Sequence, residues 1–205
     1  MHIAVSGNIG SGKTTLTEKL AKHYGWKAEF EAVENNPYLV DFYDDMERWS
    51  FHLQVYFLNS RFNQIQKIRE SQMSIIQDRT IYEDAYIFAA NLKKSKLISE
   101  RDYQNYLHLF HSMIQYVKAP DLLIYLKADI PKLVGQIEKR GRDYENSIRI
   151  DYLKNLNIHY EEWIATYDKG KLLIVDVNNL DFVAHQEDFA SIVNKIDREI
   201  NGLFM

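Results

Sequence analysis

The sequence predicts an α/β fold in which a five-stranded parallel sheet is flanked by helices on both faces. Short apolar runs suited to strands alternate with long stretches of helical periodicity along the whole chain. Strands that alternate with helices form parallel sheets, because each helix carries the chain back across one face. The 205 residues include only 3 prolines and no linker-like segment. We therefore expect one domain, 1–205.

The elements follow from periodicity taken in chain order. The strand candidates are short apolar runs bounded by polar or turn-forming residues, and they are 2–6, 28–33, 73–77, 122–126 and 172–175. The helix candidates carry apolar residues at helical spacing. They are 13–24, about 47–70, 82–92, about 100–117, 131–139, 151–167 and 184–200. Asp129 followed by Pro131 is a typical start signal for the helix at 131–139.

Composition limits the class of protein. Hydrophobic residues make up 46% of the chain, charged residues 26%, and the net charge is −4. This balance gives no indication of binding to nucleic acid or to an anionic membrane. There are no cysteines, no stretch as long as a membrane span, and no signal peptide. We expect a cytoplasmic enzyme without nucleic-acid or membrane partners.

The most specific motif lies directly after the first strand candidate and directly before the first helix candidate. It fits the phosphate-binding pattern G-x-x-x-x-G-K-S/T, in the context of strand, glycine loop and helix that the pattern requires. Glycines let backbone N–H groups turn inward around an anion, and the helix adds its positive dipole end. The residues expected to bind ATP are Gly7, Asn8, Ile9, Gly10, Ser11, Gly12, Lys13, Thr14 and Thr15.

Two side chains of this loop add chemistry to its shape. The Lys13 ammonium can reach the β- and γ-phosphates, and the Thr14 hydroxyl can bind Mg²⁺. A dinucleotide loop is the alternative, with Glu34 as the ribose-binding acid, but it needs the spacing G-x-G-x-x-G. The glycines of 7–12 are spaced G-x-x-G-x-G instead. We therefore expect a nucleoside triphosphate with Mg²⁺.

Polar residues follow the second and third strand candidates. In an open parallel sheet the carboxyl ends of the strands line the ligand crevice. Glu34 could there accept a proton from an attacking hydroxyl, although a surface or capping role is the alternative. Asp78 could hold Mg²⁺ partly through water, and Arg79 could stabilise the transferred group. The same pair could equally form a structural salt bridge.

A cluster of cations closes the helix candidate at 131–139. Arg140 and Arg142 lie where this helix gives way to a loop. The alternative to a functional role is compensation of the helix dipole by C-terminal charge. The functional interpretation is a short lid, about 139–147, that covers the phosphates.

Together these features resemble the deoxyribonucleoside kinase family over about residues 1–165. The resemblance rests on motifs in the family's order: the loop 7–14, the strand-end Glu34, the stretch 47–61, the segment 78–89, the lid arginines and the stretch 152–163. The segment 34–38 is most similar to the small bacterial deoxyadenosine/deoxyguanosine kinases. The resemblance implies a P-loop kinase fold with a short lid.

The resemblance also implies roles at the reacting end of the site. Glu34 matches the family's general base on the 5′-hydroxyl, and Arg79 matches the arginine that steadies Glu34 and the transferring phosphoryl group. Asp78 matches the acid near Mg²⁺. Tyr43 and Glu161 match the pair that holds the deoxyribose 3′-hydroxyl.

Further residues match the family's base pocket. Gln54 matches the amide that pairs with the base edge, and its donor and acceptor suit an amidine-like edge. Arg61 and Asp84 match a charged pair beside the base. Tyr86 could stack on the base. Ordinary packing within helices is the alternative for Tyr43, Gln54 and Tyr86 individually.

The expected reaction is ATP-dependent phosphorylation of the 5′-hydroxyl of a deoxyribonucleoside, foremost deoxyadenosine, with deoxyguanosine and deoxycytidine also accepted. A nucleoside monophosphate kinase is the nearer alternative, but Glu34 and Glu161 would repel its dianionic acceptor. A thymidine kinase is a further alternative. A nucleotide-dependent switch is distant, because the N-K-x-D string at 194–197 lies in a helical run.

Two helix candidates are apolar on more than one face, at about 47–70 and 100–117. Such helices are either central in a core or buried against a partner. We expect a homodimer with these helices at its interface, and the alternative is that both helices are simply central.

Overall fold

The computed structural model contains a single sheet, and the structure describes residues 1–31, 36–142 and 148–202. The strands pair in parallel in the order β2-β3-β1-β4-β5. Their bounds are β1 His2–Gly7, β2 Lys27–Glu29, β3 Ile75–Asp78, β4 Leu122–Lys127 and β5 Lys171–Asp176. The predicted five-stranded parallel sheet is confirmed.

The register in which the strands pair determines which residues meet at the site. Val5 of β1 pairs with Asp78, the last residue of β3, and Gly7 pairs with Leu126 of β4. The first residue of the phosphate-binding loop therefore lies in the centre of the sheet, beside the acid that ends the neighbouring strand.

The helices cover both faces of this sheet. Within the described residues they are α1 Lys13–Tyr24, α2 Leu39–Asp44, α3 Met46–Glu70, α4 Ile81–Glu83, α5 Ala90–Lys94, α6 Glu100–Ile114, α7 Ile130–Arg140, α8 Ile150–Ala165 and α9 Gln186–Asn201. The segment between α4 and α5, Asp84–Ala89, is a π-helix.

Side chains that alternate along β1 belong to two separate clusters of the hydrophobic core. Ile3 and Val5 belong to a cluster on one face of the sheet, whereas Ala4 belongs to a cluster on the other. Successive side chains of a strand point to opposite faces, so both faces need a helical cover. The first cluster includes residues of α1, α7 and α9, such as Leu16, Leu133 and Ile192. The second includes residues of α3, α6 and α8, such as Leu58, Phe110 and Leu156.

Several predicted elements need correction. The strand predicted at 28–33 spans only Lys27–Glu29, where it pairs with β3. The helix predicted at 82–92 is interrupted by the π-helical segment, which side-chain periodicity does not reveal. The helix Leu39–Asp44 was not predicted, because its 6 residues are too few to show a helical period.

The apolar character of α3 has an explanation within the chain. Its buried residues include Leu53 and Leu58, which belong to two different core clusters. On α6 the buried residues are Tyr106 and Phe110, while Leu109 remains 39% exposed. The helix ends at Ile114 rather than at 117. The homodimer stays a prediction. No helix in the three described ranges is long and apolar enough to cross a membrane.

Candidate active site

A cleft of about 710 Å³ lies where β1, β2 and β3 end. Residues from the loops after these strands and from α2, α3 and α8 form its walls. The predicted site residues that line it are Ile9, Lys13, Thr14, Tyr43, Gln54, Asp78, Arg79, Asp84, Arg140 and Arg142. Ligands of open parallel sheets bind at this end of the strands. The structure thus brings half of the predicted site residues into the lining of one cavity.

The phosphate-binding loop has the backbone that its glycines allow. Gly10 and Gly12 have φ of +85° and +92°. A Cβ at Gly10 would lie 2.6 Å from the carbonyl oxygen of Leu133, and one at Gly12 would lie 2.9 Å from Phe182. A side chain at either position would therefore strain the backbone and force the contacted atoms to shift. The helix α1 begins at Lys13, so its positive end faces the loop.

Lys13 is the buried cation of this loop. It is only 7% exposed, and its Nζ donates a 3.0 Å hydrogen bond to the carbonyl oxygen of Asn8. Burial, together with the nearby charge of Arg79, lowers the pKa of Lys13 to about 8. An anion bound in the loop would counter both effects and keep the ammonium charged.

Two neighbouring oxygens fit Mg²⁺. The Thr14 hydroxyl donates a 2.6 Å hydrogen bond to Oδ2 of Asp78. The other carboxylate oxygen, Oδ1, is buried and has no hydrogen-bond partner among the described residues. Mg²⁺ prefers hydroxyl, carboxylate and water oxygens beside phosphates. These two side chains could hold the ion, and their role as its ligands stays a prediction.

The carboxylate that meets Arg79 is Glu31. Its Oε1 lies 3.0 Å from Nε of Arg79 and 2.9 Å from Nη2 of Arg61. The contact with Nε is an ion pair rather than a well-aligned hydrogen bond. Burial raises the pKa of Glu31, but the two arginines outweigh burial and hold its pKa below the ordinary value. Glu34, the predicted general base, lies outside the described residues.

Arg79 has a strained backbone. Its φ of 69° is in the left-handed region, which non-glycine residues seldom adopt. Its N–H donates to the carbonyl oxygen of Val5 at 2.9 Å. The guanidinium lies 4.5 Å from the centre of the Phe88 ring, as in a cation–π contact. Strain of this kind is typical of functional sites, where surrounding contacts maintain it.

Gln54 and Asp84, two of the residues predicted beside the base, line the same cleft, and the buried Arg61 contacts Asp84. Gln54 is 3% exposed, and its Oε1 has no hydrogen-bond partner in the described part of the chain. Arg61 Nε lies 3.3 Å from Oδ2 of Asp84. Burial raises the pKa of Asp84 to about 6, although Arg61 opposes this. The unpartnered amide oxygen indicates that a ligand would complete this pocket.

Two predicted substrate residues lie elsewhere. Tyr86 is 37% exposed and borders a separate cavity with Tyr82 and Trp163. Helical residues two apart face different directions, so Asp84 lines the cleft while Tyr86 points away. Glu161 accepts from the Tyr125 hydroxyl and pairs with Lys127, each at 3.0 Å. Their placement in the nucleoside pocket is therefore corrected.

Some residues of the cleft were not predicted. They are Glu31, Phe88 and Tyr152, together with Tyr160 and Glu83 behind Arg79. For Glu31 there was no distinguishing signal in the sequence, because the run predicted as a strand, 28–33, continues past it. The described lid residues Arg140 and Arg142 line the cleft, whereas 143–147 of the predicted lid lie outside the described residues.

These features define a class of protein. A parallel sheet with a phosphate loop after β1, an acid and an arginine at the end of β3, and a cleft over both is the arrangement of a P-loop phosphotransferase. The chain belongs to the deoxynucleoside kinase family, whose family model matches residues 3–201.

Characterised relatives agree with this membership. A deoxyadenosine/deoxycytidine kinase of Bacillus subtilis is 40% identical over 196 residues, covering 95% of this chain and 90% of the relative. A deoxyadenosine kinase of Dictyostelium discoideum is 41% identical over 182 residues, covering 89% and 74%. The chain is therefore a kinase that phosphorylates deoxynucleosides, with ATP as the phosphate donor.

Solved structures share the fold. The deoxyadenosine kinase of M. mycoides with the products dCMP and a flexible dCDP superposes with a TM-score of 0.87 at 31% identity, covering 96% of this chain and 99% of that one. The same enzyme with bound dATP gives a TM-score of 0.85, with the same coverage.

Proposed function

We propose that this kinase transfers the γ-phosphoryl group of Mg²⁺-bound ATP to the 5′-hydroxyl of deoxyadenosine in preference to other deoxynucleosides. The observation that carries the proposal is the pairing of Glu31 with Arg79 in the cavity that also holds Lys13 and Gln54. One cavity thus contains groups for a phosphate chain, for a reacting hydroxyl and for a base.

The reaction balances with these side chains. The 5′-oxygen forms a bond to the γ-phosphorus, and the bond between that phosphorus and the β–γ bridging oxygen breaks. The hydroxyl proton passes to the Glu31 carboxylate, which its two arginine partners keep ionised. Lys13 and Arg79 offset charge on the phosphoryl oxygens, and Thr14 and Asp78 would hold Mg²⁺, which would neutralise further phosphate charge.

Glu31 thereby takes the role that the sequence predicted for Glu34. The carboxylate of a general base must lie within reach of the proton that it accepts. Glu31 lines the cleft beside Arg79, which is the arrangement predicted for the base and its arginine.

Adenine specificity is proposed from Gln54. Its unpartnered Oε1 can accept from an exocyclic amine, while its Nε2 can donate to the adjacent ring nitrogen. Adenine and cytosine both present this amine-and-acceptor edge, whereas guanine presents a carbonyl and an N–H. Binding of guanine requires the amide of Gln54 to rotate, so we expect deoxycytidine to be the second substrate.

The test compares the turnover of different deoxynucleosides and the effects of removing the carboxylates of Glu31 and Glu34. Purified protein is incubated with ATP, Mg²⁺ and each of the four deoxynucleosides, and the 5′-monophosphate is quantified. We expect the highest kcat/KM for deoxyadenosine, and a loss of product on removal of Mg²⁺. The variant Glu31→Gln should lose at least about a hundredfold in kcat, and Glu34→Gln is the matched control.

Each outcome has a distinct meaning. A large loss for Glu34→Gln with near-normal turnover for Glu31→Gln would return the base role to Glu34. Equal rates with all four nucleosides would remove the proposed reading of the base by Gln54. Conversion of a monophosphate to a diphosphate without nucleoside turnover would remove the acceptor assignment altogether.

We also propose that the enzyme acts as a homodimer in the cytoplasm, with α3 and α6 at the interface. The exposed Leu109 on α6 supports this surface. Sedimentation at micromolar concentration should give a dimer, and Leu109→Glu should shift it toward the monomer. A monomeric wild-type protein would remove the dimer proposal.

A further inference from the structure

We propose that Tyr160 is a positioning residue, which orients the guanidinium of Arg79 for phosphoryl transfer. The inference rests on the proposed role of Arg79 at the transferring phosphoryl group. Tyr160 does not line the cleft and is fully buried on α8. Its hydroxyl accepts a 2.7 Å hydrogen bond from Nη1 of Arg79, which is shorter than the contacts of that arginine with Glu31 and Glu83.

The contacts of Arg79 leave one of its nitrogens available. Nε faces Glu31 at 3.0 Å, and Nη1 is shared between Tyr160 and Glu83. Nη2 makes no hydrogen bond to the residues that the structure describes. An arginine presents its donors in a rigid planar fork, so fixing two nitrogens fixes the direction of the third. Nη2 is accordingly the donor that we assign to the transferring phosphoryl group.

Tyr160 belongs to a short chain of buried hydrogen bonds. Its hydroxyl donates to Oε1 of Glu83 at 2.8 Å, while Oε2 of Glu83 accepts from the backbone N–H of Thr80 at 2.7 Å. Glu83 is 0% exposed. Because both of its oxygens are engaged, Glu83 cannot follow Arg79 if the guanidinium rotates. Without the Tyr160 hydroxyl, Nη1 keeps, among the side chains of the described ranges, only the 3.3 Å contact with Glu83.

The same helix also holds the phosphate-binding loop. Nδ2 of Asn8 donates to the carbonyl oxygen of Leu153 at 3.0 Å and to Oδ1 of Asn157 at 2.6 Å. Leu153, Asn157 and Tyr160 are spaced by 4 and 3 residues and therefore share one face of α8. This face fixes both the loop that receives the phosphates and the arginine that meets them. Tyr160 thereby holds Arg79 at a fixed position relative to the phosphate-binding loop.

A purely structural role predicts a different result. If the hydroxyl only stabilised the core, its removal would lower the melting temperature and leave the kcat of the folded enzyme unchanged. A positioning role lowers kcat while KM for the nucleoside stays close to wild type, because Arg79 acts on the transition state.

The experiment is a double-mutant cycle. The variant Tyr160→Phe removes only the hydroxyl, and Arg79→Lys keeps the charge but removes the fork. We expect Tyr160→Phe to lower kcat about tenfold or more in the wild-type background, as for a lost hydrogen bond to a charged group. In the Arg79→Lys background it should have no further effect. Tyr125→Phe is the matched control, because that ring stacks on Tyr160 at 5.7 Å and its hydroxyl bonds outside the cleft.

Other outcomes overturn the positioning role. They are an unchanged kcat, a rise in KM alone, and an equal loss in both backgrounds. If Tyr160→Phe does not fold, Glu83→Gln tests the same hydrogen bonds, and a kcat loss that is independent of residue 79 then refutes the inference. Wild-type protein without activity on any deoxynucleoside would count against the proposed function instead.

Discussion

Substitution of Asp84 by asparagine should change the pH dependence of stability. Burial raises the pKa of this carboxyl from 3.8 to about 6, despite the ion pair with Arg61. The folded protein therefore holds the proton more tightly than the unfolded chain. Between these two pKa values, stability falls as pH rises, because the folded state must place a charge in a buried site. Asp84→Asn removes this penalty.

The magnitude follows from the difference between the two pKa values. Each pH unit is worth about 1.4 kcal/mol, so the full penalty is about 3 kcal/mol. Integration of the proton linkage puts about 2 kcal/mol of it between pH 4 and pH 7. The free energy of unfolding of Asp84→Asn, relative to wild type, should therefore rise by about 2 kcal/mol over this range.

Urea unfolding followed by tryptophan fluorescence measures the difference at each pH. Asp121→Asn serves as a control of opposite sign. At Asp121, burial is outweighed by the hydrogen bond from the His2 N–H and by Lys118, so that its pKa lies below the ordinary value. A difference for Asp84→Asn that stays constant from pH 4 to pH 7 would show that Arg61 keeps Asp84 ionised, and the reasoning would fail.

Three further predictions concern the cleft. Gly12→Ala should cost about 1–3 kcal/mol of stability and weaken ATP binding, because residue 12 has a positive φ and its Cβ would contact Phe182. Thermal melting measures the stability and calorimetric titration measures the affinity for ATP, and an unchanged affinity would contradict the prediction. The affinity for ATP should fall as pH rises through about 8, where free Lys13 loses its proton, whereas Lys13→Arg should show no such fall in titrations from pH 7 to 9.5. Gln54→Ala should raise KM for deoxyadenosine about tenfold and leave KM for ATP unchanged; equal effects on both would exclude base reading.

Local patterns predicted much of the site. The loop Gly7–Thr14 and the pair Asp78–Arg79 are contiguous in sequence, and their positions follow from the rule that strand ends meet at one edge of a parallel sheet. Glu31 was missed because the apolar run after Lys27 continues beyond the strand. The chain leaves the ladder at Glu29, so the carboxylate beside the sheet end comes earlier than predicted.

Contacts between distant segments could not be predicted. Tyr160 bonds to Arg79, which is 81 residues earlier, and to Glu83, which is 77 residues earlier. Nothing in the local pattern around any of the three indicates this arrangement. The predicted positions of Tyr86 and Glu161 were wrong for a related reason. Both lie on helices, and the side that faces the ligand is decided by tertiary packing.

The length of the π-helical segment Asp84–Ala89 determines which side chains in it and beside it can contact Arg79. Glu83 and Phe88 both contact Arg79, although they are 5 residues apart. In an α-helix that spacing would separate them by about 140° around the axis. A turn closed between residues i and i+5 returns them to the same side. Deletion of one residue from this turn would move the Glu83 carboxylate and the Phe88 ring to different sides, so that they could no longer both contact Arg79. Among homologues we therefore expect exposed residues of the segment, such as Tyr86, to vary freely, while the length of the segment is preserved.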